Sequence, residues 1–180
     1  MAPRIAPVRD PDPETEDILS KTLVGDGPPL NVFTTLARHP RLLKRFNVLG
    51  GFFLTRGSLP ARDREIVVLR SAWRSGSEYE FGQHVLIGRR SGLTDAEIGA
   101  LATERADWPA HDAALVAVAD EVDRQAVVSG ATWEALRASY DEQQLIEVIL
   151  LAGFYRMLAG LLNTVGVERD EGVPGWPTAG

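Results

Sequence analysis

The chain has 180 residues, 44% of them hydrophobic and 24% charged, which suits one folded domain with a sizeable core and excludes a disordered chain. A net charge of -6 leaves no cationic surplus for phosphates, so neither nucleic acid nor an anionic membrane is an expected partner. With no cysteine, disulfides, thiolate nucleophiles and cysteine-ligated metal centres are excluded; this suits a reducing cytoplasm, the expected location.

Residues 1–13 hold four of the 11 prolines and read as an extended arm that packs on another surface; they lack the apolar run of a signal peptide. A short helix is expected from Glu14 to Thr22, a loop at Gly25-Asp26-Gly27-Pro28-Pro29, and a helix from Pro29 through Ala37. His39-Pro40 marks a break, with His39 read as a capping or packing residue. From Pro40, residues Leu42, Leu43, Phe46, Leu49 and Phe53 keep helical spacing until Gly57-Ser58-Leu59-Pro60. From Ala61 the residues Ile66, Leu69 and Trp73 fit another helix. Strand is the rival reading for Ile66-Val67-Val68-Leu69, but the charged run ahead of it and the segment length favour helix.

Gly76 interrupts, and Ser77-Glu78-Tyr79-Glu80 reads as a capping box that opens a helix to about Ser91, where Gly92 supplies a left-handed stop. Thr94 to Glu97 is a second capping box. Trp108-Pro109 is a turn, Asp112 to Val128 an amphipathic helix ended by Gly130, and Thr132 caps a brief helix to Tyr140. The last helix starts at Asp141-Glu142-Gln143-Gln144 and runs through Asn163. Its apolar run Leu145 to Leu162 carries Glu147 and Arg156 and never reaches the ~18 uninterrupted apolar residues of a spanning helix, so it reads as a core helix. Without an alternating strand pattern or a phosphate-binding glycine loop, the expected class is all-α.

The leading chemical constellation is Glu65, Tyr79, Glu80 and His84. Glu80 and His84 lie four apart on one helix face, so the carboxylate can orient the imidazole for proton transfer near neutral pH. Glu65 reaches the pair if the chain folds back at Gly76, and Tyr79 offers a phenol donor for an oxyanion. Trp73 and Phe81 are expected to contact substrate, and Trp108, Trp133 and Phe154 are further candidates for an apolar pocket. The competing structural reading makes Glu80 a capping residue, pairs Glu65 with Arg62 on its own helix, and leaves His84 at the surface or satisfied in the core. Metal binding has little support, because the three histidines are scattered and no H-x-x-x-H spacing occurs. His111 reads as a solvated helix start.

Three runs carry a resemblance: Leu59 to Arg70 followed by Trp73; Glu78-Tyr79-Glu80-Phe81-Gly82-Gln83-His84; and Gly92-Leu93-Thr94 leading into Ala96-Glu97-Ile98. Together they resemble the carboxymuconolactone decarboxylase / alkylhydroperoxidase D family, over most of residues 28–167. The resemblance implies an all-helical, alkylhydroperoxidase D-like bundle assembled as a homo-oligomer (dimer, trimer or hexamer) with active sites near subunit contacts. In the alkylhydroperoxidase D branch a glutamate, a C-x-x-C pair and a histidine act together. Glu65 and His84 match the first and last, while Ser77 and Glu80 stand where the cysteines would be, so disulfide-cycling peroxidase chemistry is disfavoured. The decarboxylase branch is closer and implies acid–base chemistry without cofactor or metal on a small carbonyl acid or lactone. His84 is then the proton shuttle, Glu80 its orienter or a second base, and Glu65 a supporting carboxylate. The alternative is a non-catalytic helical oligomer that binds an apolar small molecule. The expected organisation is an arm and short helix at 1–27, the helical domain at 28–167 and a tail at 168–180.

Overall fold

The computed structural model describes residues 2–22 and 27–177, so Gly25 and Asp26 of the expected loop lie outside the described residues. Its elements are all helical: α1 (Pro13–Leu19), α2 (Asn31–Leu36), α3 (Pro40–Thr55), α4 (Ala61–Arg74), α5 (Glu78–Arg90), α6 (Asp95–Leu101), α7 (Ala110–Gln125), α8 (Gly130–Arg137) and α9 (Glu142–Val165). The domain is built around α4, which packs against α5, α7 and α9 and also touches α6. Ile66, Val67, Val68 and Leu69 are each 0% exposed. Four consecutive residues with no exposure mean that this turn of α4 is surrounded by protein on every side, and that packing overrides the strand preference of its branched residues.

Two polar fasteners hold α4 in place. Arg70, buried, donates to Asp120 on α7 (Nη2 to Oδ2, 2.8 Å) and to the Leu101 carbonyl (3.0 Å), and Arg74 one turn later donates to the same carboxylate at 2.8 and 2.9 Å. Burial would raise the Asp120 carboxyl, but the two guanidiniums outweigh it and hold it below the usual carboxylate range. At the other end, Arg62 bonds Asp112 on α7 and Glu97 on α6, not Glu65. Glu147 of α9 accepts the Ser58 amide and hydroxyl, both at 2.7 Å, and so fixes the turn that launches α4. Gly57 is required there because a Cβ would overlap the Glu147 carboxylate.

Several boundaries depart from the sequence reading. α2 begins at Asn31, after an extended Leu30. α7 starts at Ala110 and stops at Gln125, with Ala126 left-handed (φ 57°), short of Val128. The cause is Glu121, whose carboxylate takes the Ser129 amide (2.6 Å) and hydroxyl (2.9 Å) and turns the chain back. Ser129, not Thr132, therefore caps α8. The Thr94–Glu97 capping box forms as expected. The proline-rich arm lies along its own domain, with Arg4 N bonded to Val165 O (2.7 Å) and Val8 N to Thr34 O (2.9 Å).

By length and composition the 24-residue α9 could cross a membrane, since an 18-residue window of it has a mean hydropathy of 1.9, but 56% of that window is buried inside the domain. Its outer face keeps Ile146, Leu150, Met157 and Leu161 exposed.

Replacing Arg70 by alanine is expected to cost about 3 kcal/mol or more in urea unfolding, because a buried carboxylate loses a partner and the Leu101 carbonyl loses its donor.

Candidate functional site

The site begins with a hairpin. Gly76, at φ +63°, takes the left-handed turn that an L side chain resists, and it reverses α4 into α5. Gly88 lets the two helices close up, since a Cβ there would come within 3.2 Å of Leu93, 3.3 Å of Leu69 and 3.8 Å of the Glu65 Cβ. His84, one turn before Gly88, thereby reaches Glu65 across the interface, with Nδ1 2.7 Å from Oε2. The second Glu65 oxygen accepts from Arg64 Nε at 2.8 Å, and Arg64 also holds the Leu54 carbonyl at 3.2 Å.

Glu65 is 0% exposed. Burial would push its carboxyl up, but the imidazole and the guanidinium together outweigh that and keep it below the usual range. An ionised carboxylate only accepts hydrogen bonds, so Nδ1 of His84 carries the hydrogen and Nε2 is left to exchange a proton. The Tyr155 ring stands edge-on to the imidazole, with centroids 4.9 Å apart, and restricts its tilt.

Glu80 is the opposite case. It is 2% exposed, and neither carboxylate oxygen has a hydrogen-bond partner. As the third residue of α5 it gains about 0.3–1 kcal/mol for the anion from the helix amino end. Burying an unpaired carboxylate costs several kcal/mol. Burial wins and pushes the Glu80 carboxyl well above its ordinary value, which favours its neutral form. The sequence reading of Glu80 as the orienter of His84 is corrected here: Glu65 orients the ring. The Ser77–Glu80 capping box does not form either. Ser77 has φ -94° and ψ 88°, its hydroxyl is buried without a partner, and Glu80 turns inward.

Glu80, His84 and Tyr155 line a cavity of about 120 Å³ between α3, α5 and α9. Phe33, Phe46, Leu54, Ile87, Phe154 and Leu158 supply most of its wall. A closed cavity of about 150 Å³ accepts benzene; this one is somewhat smaller but opens toward the exposed Lys21, so its occupant is no larger than a single small ring. Asn47 also lines it, and its side-chain oxygen is buried with no partner. Sequence reasoning missed Asn47; the available signal is that it shares a helix face with Leu43, Gly50 and Leu54.

Tyr79 lines the cavity but is not a free donor. Its hydroxyl donates to Asp170 (2.6 Å) and accepts from the Val32 amide (3.1 Å); burial, with Asp170 adding to it, pushes the phenol well above its ordinary value. Asp170 also accepts from Gln83 (2.7 Å) and the Asn31 amide (2.9 Å), so the tail pins one cavity wall. Two expected substrate contacts are corrected. Phe81 faces the tail, its ring 5.0 Å from Trp176, and a Cβ at neighbouring Gly82 would overlap the Pro174 carbonyl. Trp73 lies under the Arg70 and Arg74 guanidiniums at 4.5 and 5.0 Å. Neither lines the cavity. Of the other aromatic candidates, Phe154 alone does so.

His39 accepts the Leu42 amide at the start of α3 (3.4 Å). His111 is not a simply solvated helix start, since Nε2 lies 3.2 Å from Asp63 and 3.1 Å from the Tyr140 hydroxyl. Among the described residues, no three His, Cys, Asp or Glu side chains are grouped as metal ligands.

Residues 40–121 match the carboxymuconolactone decarboxylase family. No curated protein matches the sequence. Among solved structures, the alkylhydroperoxidase AhpD core of an uncharacterized peroxidase-related protein from Ralstonia eutropha JMP134 is 22% identical, with 95% of each chain covered and a TM-score of 0.81. An uncharacterized peroxidase-related protein from Silicibacter sp. TM1040 is 17% identical over 95% of each chain, TM-score 0.79. The debrominase Bmp8 is 17% identical over 93% of this chain and 92% of its own, TM-score 0.77, and a variant of it has been crystallised with 2,3,4-tribromopyrrole.

Glu80 yields a stability prediction with a definite sign. A folded-state pKa raised by burial means that the folded protein holds this proton more tightly than the unfolded chain. Stability is then greatest below the unfolded carboxylate pKa of about 4.3 and falls as pH rises toward the folded value. Glu80→Met removes that penalty. The variant should melt higher than the parent at pH 8, by about 1–3 kcal/mol of stability, and the gain should shrink toward pH 4.5 in calorimetric melts.

Proposed function

From the match of residues 40–121 to the carboxymuconolactone decarboxylase family and the alkylhydroperoxidase D-like fold, we propose that the chain is a cofactor-independent acid–base enzyme moving a proton at the carbon beside a carbonyl. The carrying observation is the juxtaposition, in one small apolar cavity, of an oriented imidazole and a buried carboxyl without a hydrogen-bond partner, whose neutral form burial favours. Nε2 of His84 takes the proton from carbon while the Glu80 carboxyl donates to the carbonyl oxygen, giving a neutral enol. Return of the proton from the imidazolium to carbon, at the same or a conjugated position, and of the enol hydrogen to Glu80 regenerates both groups. The Arg64–Glu65 pair holds the ring and stabilises the imidazolium in between. Tyr155 and the apolar wall keep water out, which strengthens each of these interactions. A small ring in a related fold has a precedent in the debrominase neighbour bound to a substituted pyrrole.

A peroxidase reading draws on the peroxidase-related neighbours. The absence of cysteine argues against thiol cycling, because Ser77 and Glu80 cannot form a disulfide.

The test is exchange of the α-hydrogens of cyclohexanone into deuterated water, followed by NMR. The protein should accelerate it over buffer, and His84→Gln and Glu80→Gln should each lower the acceleration by about 10²–10⁴ while the fold persists by circular dichroism. Unchanged exchange in His84→Gln would remove the imidazole from the mechanism.

The exposed apolar stripe of α9 supports assembly with further copies of the chain. Leu150→Glu combined with Met157→Glu is expected to lower the mass seen by light scattering to that of one chain.

A further inference from the structure

The cavity states which charge its occupant can carry. Lys21 is the one cationic side chain among the described residues lining it, and its ammonium is already paired with Asp17 at 2.5 Å on the exposed rim. Among the described residues no arginine lines the cavity, and Arg64, beside Glu65, is spent on that carboxylate and the Leu54 carbonyl. Immediately behind the imidazole stands the ionised Glu65 carboxylate. An entering carboxylate would lose its water, meet an apolar wall of phenylalanine, leucine and isoleucine, and find a negative charge beyond the ring.

Two side chains in the same cavity nevertheless lack hydrogen-bond partners. The Asn47 amide oxygen and both Glu80 oxygens are buried and unsatisfied. Buried polar groups left unpaired cost roughly 1–3 kcal/mol each, and a bound polar group relieves that cost. A neutral Glu80 carboxyl donates to a carbonyl oxygen, and a half-turn of the Asn47 amide places its NH2, a donor, where the unpartnered oxygen lies. These groups suit an uncharged oxygen and give no compensation for an anion.

From this we infer that the cavity takes a neutral, single-ring carbonyl compound, with Asn47 as a binding residue that recognises its polar end. The inference rests on the reading of the cavity as a substrate site. It directs that reading toward enolisation or double-bond isomerisation of an uncharged ketone or lactone, and away from decarboxylation of a carboxylate. Asn47 touches the ligand and takes no part in the proton transfer.

Binding, measured apart from turnover, tests it. Cyclohexanone, its hydrocarbon isostere methylenecyclohexane, and cyclohexanecarboxylate are titrated at pH 7.5 against the parent protein, with affinities read by ligand-observed NMR. Cyclohexanone should bind at least about tenfold more tightly than either of the others, a difference of 1.4 kcal/mol. In Asn47→Leu the preference for the ketone over the hydrocarbon should collapse to within about threefold. The parent comparison stands even if that variant does not fold, and Asn47→Ala provides a second reading. Equal or tighter binding of cyclohexanecarboxylate overturns the inference, as does an undiminished ketone preference without Asn47, or binding of none of the three. Cyclohexanone that binds with the expected preference but exchanges no hydrogens sinks the catalytic reading and leaves the binding inference standing.

Discussion

A carboxylate with no exposure to solvent has to find its counter-charges inside the protein, and Glu65 dictates much of the architecture for that reason. Its position on α4 leaves one oxygen to Arg64, the residue before it, and the other to a helix that must come close. That approach needs the reversal at Gly76 and the missing side chain at Gly88. The hydrogen bond from Nδ1 to this carboxylate then selects the imidazole tautomer. The same interaction that permits Glu65 to be buried is therefore what leaves His84 with a usable Nε2.

The two buried glutamates of the site are a matched contrast. Both are almost wholly removed from water. Glu65 has an imidazole and a guanidinium, and its carboxyl is held low; Glu80 has no partner, and its carboxyl is pushed high. One side-chain type thus supplies a fixed anion in contact with the imidazole and, one turn away along α5, a carboxyl whose neutral form burial favours. Environments that split the pKa values of like groups are how acid and base roles are assigned at one pH. Glu80 lowers stability, and a group that is structurally costly and otherwise unexplained is where function is to be sought.

The helical class and the hairpin were readable because glycine breaks and 3.6-residue spacing are local signals. So was the grouping of Glu65, Glu80 and His84, although spacing assigned the orienting role to the wrong glutamate: the i,i+4 neighbour is visible in sequence, whereas the cross-helix neighbour depends on Gly88 and its packing. The capping box at Ser77 shows the same weakness. Its pattern matches the one that forms at Thr94, but Ser77 lacks the extended conformation a cap requires. Trp73 and Phe81 were assigned to substrate because aromatic residues suit a pocket; their partners, two arginines and a tail tryptophan, are long-range and leave no local mark. Asn47 was passed over because one amide on an apolar helix face carries no motif.

α5 has two faces, and the relation between them ties the site to the end of the chain. One face presents Glu80 and His84 to the cavity, while Phe81 and Gly82 receive the tail. Asp170 bridges the two sides by holding Tyr79 and Gln83, and its other oxygen reaches the amide that begins α2. The cavity wall is thus assembled from segments nearly 140 residues apart (Asn31 to Asp170), and no single helix defines its shape. The acid–base groups sit on the most densely buried pair of helices, while the wall that meets the ligand leans on a peripheral strap. Core packing on α4 and α5 resists displacement of the reacting groups, and the tail adds to this by packing on Phe81 and Gly82 and by holding Tyr79 and Gln83 through Asp170.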